Sequence, residues 1–145
     1  MLAMCALGLS VAALAAGCVQ EPEPLPPACS AGPEQVLEAL RTARGEVRLT
    51  GGTLLSECVE RASTDADLQI VGFALTPAAD RLAGQETEAA ALQLGFLAGA
   101  VRRGAERTNG VAVELVRRME SRVQYDDPAL LEAAERAAAA GAGHG

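Results

Sequence analysis

Hydrophobic positions along this chain change rhythm twice. Residues 1–17, MLAMCALGLSVAALAAG, are uncharged and nearly all small or apolar. Residues 19–28, VQEPEPLPPA, hold four prolines and two glutamates. From about residue 33 onward, apolar residues recur at three- and four-residue spacing, the period of an amphipathic helix.

That period predicts five or six short helices. Pro33 and Glu34 open the first, and Val36, Leu37, Leu40 and Ala43 form its stripe before Gly45 stops it. Residues 46–53, EVRLTGGT, break the period and read as a loop with a turn at Gly51-Gly52. A second, short helix covers about 54–62. Ser63, Thr64 and Asp65 offer caps for a third. In the third, Leu68, Val71 and Leu75 fall on one face and Ile70 and Phe73 on another, so it is expected to be central. Pro77 is expected to kink or restart it, with Thr76 as a new cap.

The fourth helix, about 87–108, contains AAALQLGFLAGAV from Ala89 to Val101. Ala91, Gly95 and Gly99 are spaced by four and make a smooth groove for a neighbouring backbone. The apolar run is about 13 residues, short of the ~20 that span a bilayer, so it reads as a packed core helix. Asn109-Gly110 turns the chain into a fifth helix, about 111–124, with Val111, Leu115, Met119 and Val123 in one row. Asp127-Pro128 starts the sixth, where Leu130, Leu131, Ala134 and Ala138 continue the pattern. The last residues, GAGHG, are expected to be a disordered tail over 141–145.

The apolar start is too short for a membrane span, but its length and its small residues near the end suit an export signal. Ala15-Ala16-Gly17-Cys18 resembles the lipobox of bacterial lipoproteins, the match lying in Ala16, Gly17 and Cys18, with Leu14 just upstream. That resemblance implies a cut between Gly17 and Cys18 and a diacylglyceryl group on the Cys18 thiol. The family has Lys or Arg before the apolar run; none is present here, and a basic segment upstream of Met1 is expected. The resemblance covers about the first 18 residues. A proline-rich run cannot continue a helix and favours an extended chain of about 3.1 Å per residue. Ten such residues are expected to hold a domain on the order of 30 Å from its anchor.

Cleavage at this point leaves residues 18–145, enough for one compact domain. The expected organisation is a signal peptide at 1–17, a lipid-attachment cysteine and tether at 18–28, a helical domain at 29–140 and the tail at 141–145. The formal charge of −7 and three aromatic residues, Phe73, Phe96 and Tyr125, exclude a nucleic-acid binding face and a stacking platform. With Cys5 removed and Cys18 acylated, Cys29 and Cys58 remain as an even pair in an exported chain, which reads as a disulfide.

Chemistry-bearing constellations are scarce. His144 is the one histidine and lies in the tail, which removes Ser–His and Cys–His mechanisms. Asp127 before Pro128 reads as a helix cap. No glycine-rich phosphate loop follows a strand. An unfamiliar metal-dependent enzyme would need Asp80, Glu86 and Glu88 gathered around an ion, and a carrier of a small apolar ligand would need a cavity lined by Leu92, Phe96 and Phe73. Arg102, Arg103, Arg107, Arg117, Arg118 and Arg122 flank the Asn109-Gly110 turn. If the two helices pack antiparallel, they form a basic face for an envelope protein or an anionic polymer. The alternative is that Glu106, Glu114 and Glu120 pair with them along the helices.

The sequence therefore predicts an all-α protein, a small irregular helical bundle, with no cofactor, no metal and no catalytic residues. It is expected to be membrane-anchored through Cys18 on the extracytoplasmic face or in the periplasm, in a structural or partner-binding role. If the lipobox is unused, a soluble helical interaction protein remains.

Overall fold

The computed structural model describes residues 23–42 and 45–145. The expected signal segment, Cys18 and the first residues of the expected tether lie outside them. The described residues form an all-α bundle: α1 Pro33–Thr42, α2 Leu55–Arg61, α3 Asp65–Ala83, α4 Glu88–Ala105, α5 Val113–Glu120 and α6 Pro128–His144. Arg48 and Leu54 form an isolated antiparallel bridge.

Helix boundaries follow local chemistry. Thr64 caps α3 by accepting from the Asp67 amide at 3.1 Å, and the Asp67 carboxylate accepts in return from the Thr64 amide at 3.2 Å. Asp127 caps α6, accepting from the Ala129 amide at 2.8 Å. Glu57 accepts from the Leu54 amide at 2.7 Å and so orders the entry to α2. Gly51 and Gly52 take φ of 81° and 87°, left-handed values that turn the chain between Leu49 and Leu54. Val47 and Leu49 point inward from this loop and are buried.

Helix α4 is the centre of the bundle. Ten of its residues are buried, from Ala90 to Gly104. Its main partner is α6, and almost nothing separates the two. A Cβ added at Gly95 would fall on the Ala134 backbone, one at Gly99 on Ala138, and one at Gly141 on the Phe96 carbonyl. The order of the pairs, 95 with 134 and 99 with 138, shows that α4 and α6 run in the same direction. Small residues let the backbones approach closely, and many atoms are packed along the α4–α6 seam. Gly104 extends the pattern to α2, where it lies against the Ser56 carbonyl and Val59.

Four expectations are corrected. The end of the chain is no tail: α6 continues through His144, Gly141 is buried, and the Gly145 carbonyl accepts from the Ser56 hydroxyl. Pro77 does not restart α3, which is one helix over Asp65–Ala83 with Pro77 inside it. The amide that proline lacks would have served the Phe73 carbonyl, and Phe73 faces outward, so the interruption falls away from the core. For the same reason α3 is not central: Val71, Ala74, Leu75, Ala78, Ala79 and Leu82 face the core, while Phe73 is 74% exposed. Val111 leaves its predicted row because α5 begins only at Val113, after a seven-residue turn region, and only Leu115 and Met119 of that row are buried.

The tether is shorter than its composition implies. Pro27–Ser30 forms a 3-10 turn against α3, Leu25 and Ala28 pack on the core, and Cys29 is buried. Cys29 is joined to Cys58 of α2 by a disulfide, with the Cα atoms 5.4 Å apart and a sequence separation of 29. The proline-rich run thus becomes part of the domain from about Leu25 onward.

Candidate functional site

The arginines around the α4–α5 turn were the residue group most open to a binding role. Each has a partner within the domain. Arg102 pairs with Glu120 at 2.7 Å, Arg107 with Glu60 of α2 at 3.0 Å, and Arg122 with Asp80 of α3. Arg117 and Arg118 both bind Glu114, each at 2.9 Å. Arg103 donates to the Gly143 carbonyl at the end of α6, where a cation also meets the negative end of the helix dipole. Of the pairs expected from i, i+4 spacing, Glu114–Arg118 forms. Arg102 pairs with Glu120 at the end of α5 and not with Glu106, the C-cap residue of α4. The six arginines tie α4 and α5 to α2, α3 and α6 and do not form one unmatched basic face.

Two of these pairings have electrostatic consequences. The guanidinium groups of Arg117 and Arg118 hold the Glu114 carboxyl at a pKa of about 2, through hydrogen bonds to its ionised form. The same contact raises Arg117. Elsewhere, burial pushes the Tyr125 phenol up, and its hydroxyl is buried without a described partner.

Asp80, Glu86 and Glu88 do not gather. Asp80 is engaged by Arg122, Glu86 lines a cleft with Tyr125, Asp126 and Asp127, and Glu88 lies in the first turn of α4. Among the described residues no group of three or more His, Cys, Asp or Glu side chains is placed to hold a metal ion. Nor is any helix among them long and apolar enough to cross a membrane.

Leu92, Phe96 and Phe73 are not brought together. Leu92 and Phe96 line an open groove with Leu40, Val47 and Ala137, and Phe73 lies on a different side. The expected ligand cavity in the core is replaced by packed small residues.

What sequence reasoning missed is the surface that Phe73 does line. Helices α3 and α5 run side by side in the same direction. Asp65, Leu68, Phe73 and Pro77 line one wall of a groove, and Val111, Leu115 and Arg118 the other; its volume is about 550 Å³. Of its lining residues, Phe73 and Val111 are 74% and 49% exposed, so two of the exposed large apolar side chains of the described domain meet in this groove. A signal was present in the sequence: Phe73 and Pro77 share a helix face with Gln69 and Asp80, polar neighbours that mark a solvent side.

No protein family matches this chain, and neither a curated protein nor a solved structure is similar to it.

Proposed function

We propose that this protein is an exported lipoprotein, cut before Cys18 and held by a diacylglyceryl group on the outer face of the cytoplasmic membrane or in the periplasm. Its role there is structural or partner-binding and not enzymatic. The observation that carries the reading is the order of segments: an apolar run, Ala16-Gly17-Cys18, a proline-rich stretch, then a domain. The Cys29–Cys58 disulfide supports it, because such bonds persist in oxidising compartments and are rare in the cytosol. Two acyl chains on one residue supply the stable anchoring that one chain does not.

The test is the intact mass of the native protein from the membrane fraction, beside a Cys18→Ala variant. The expected result is a chain beginning at Cys18 with added acyl mass, lost in the variant. An unmodified full-length chain in the soluble fraction rejects the anchor and leaves a soluble helical interaction protein.

A further inference from the structure

We propose that the face of the domain on which Phe73 and Val111 line one groove rests on the lipid bilayer to which Cys18 is anchored. The inference rests on the lipid-anchor reading and adds to it an orientation and a contact surface.

The length of the leash carries the argument. From Cys18 to Glu23 there are five residue steps, and a fully extended chain spans at most about 3.6 Å per step, or about 18 Å in all. The 19 residues of α3 alone measure about 28 Å. The domain is therefore anchored on a leash shorter than itself and is held against the membrane surface, not away from it.

The exit point of the leash selects the face. Glu23 pairs with Arg61, at 3.0 Å, at the end of α2 and just before α3 begins. Glu60 and Arg107 meet at the same end. Val111, in the α4–α5 turn, lines the same groove as Asp65 and Leu68. Phe73 lies eight residues into α3, about 12 Å from its start and within the reach of the leash. An exposed aromatic ring and a branched aliphatic side chain so close to the anchor meet the acyl boundary of the bilayer, as the apolar face of an interfacial helix does. Because the anchor makes the contact intramolecular, weak insertion is enough to populate it.

Charge agrees with this choice. A protein of formal charge −7 is repelled by anionic lipid as a whole. Around this face three carboxylates are matched, Glu114 by Arg117 and Arg118, Glu23 by Arg61 and Glu60 by Arg107, while Glu106 at the start of the α4–α5 turn is in no described ion pair. Asp65 and Asp67 sit in the first turn of α3, where the helix dipole offsets them. Glu86 and Asp126, which pair with no described arginine, lie beyond the other end of α3.

The chain contains no tryptophan, which makes a clean probe available. Full-length acylated protein carrying Phe73→Trp is reconstituted into phosphatidylcholine–phosphatidylglycerol vesicles, with and without phosphatidylcholine brominated on its acyl chains. Val111→Trp is a second probe of the same face, and Leu92→Trp, in the other apolar groove, is the control. Intact mass is measured on each sample. The expected result is roughly two-fold or greater quenching of Trp at 73 and 111 by the brominated lipid, with little at 92. Acylated protein whose Trp at 73 and 111 is unquenched, or quenched no more than at 92, overturns the orientation while the anchor stands. Absence of the acyl mass overturns both.

Discussion

At position 114 a carboxylate accepts hydrogen bonds from guanidinium groups three and four residues further along the same helix. Its pKa of about 2 is lower than its ordinary value of 4.5, so the folded state holds its proton more weakly than the unfolded chain. For a depressed carboxylate the contribution to stability is present above the unfolded value and is lost as pH falls through the folded one. Here that window runs from about 4.5 down to about 2. The site is fully open to solvent, so the effect is small and screened by salt. An NMR titration of the Glu114 side chain is expected to give a midpoint near 2 at low salt, rising towards the ordinary value in Arg117→Ala. A midpoint near 4.5 in the unaltered protein would show that the pair does not persist in solution. The spacing of Glu114, Arg117 and Arg118 made these contacts legible from sequence. The partners of Arg102, Arg107 and Arg122 were not legible, because each lies on a different helix and only the packing brings it near.

Glycine positions separate two kinds of requirement at the level of the element. Gly95 in α4 and Gly72 in α3 are both inside helices, where glycine is unfavourable relative to alanine by roughly 0.5–1 kcal/mol. At Gly95 an added methyl group meets the Ala134 backbone, which cannot move without shifting α6. At Gly72 nothing lies within 4 Å of the added Cβ. Gly95→Ala is therefore expected to destabilise by about 3 kcal/mol, as overpacking does. Gly72→Ala is expected to stabilise by about 0.5–1 kcal/mol. Urea unfolding of the two variants decides the matter, and equal midpoints would mean that the α4–α6 approach is looser than described. The four-residue spacing of Ala91, Gly95 and Gly99 announced a seam in advance. That the seam is filled by α6, parallel to α4, was hidden, since any small-residue helix satisfies such a groove.

For the molecule as a whole, one covalent link decides how the chain enters the bundle. Cys29 to Cys58 closes a loop that contains α1 and the 45–54 segment, and it fixes the end of the tether to α2. In the chain-entropy account a loop of this length is worth about 3–4 kcal/mol. Reduction, or replacement of both cysteines by alanine, is expected to lower the unfolding free energy by about 3 kcal/mol. The readout is the urea midpoint with and without reductant; an unchanged midpoint would mean that burial of Leu25 and Cys29 alone holds the entry segment. A small domain with few aromatic residues has little bulk apolar surface to bury, so such a staple is a large fraction of its stability.

Local physics was sufficient for most of the architecture. Helical period, the Thr64 and Asp127 caps and the Gly51-Gly52 and Asn109-Gly110 turns are properties of residues close in sequence, and on the lipoprotein reading Cys29 has only Cys58 to pair with. They pointed to an all-α chain, the starts of α1, α3 and α6 and the disulfide. Tertiary structure alone decided that Phe73 and Val111 line one groove, that 141–145 continues α6, and that the proline-rich run joins the domain at Leu25. The reason is common to all three: an apolar or small residue is equally at ease in a core, a seam or an exposed patch, and only the presence or absence of a neighbouring helix decides among them.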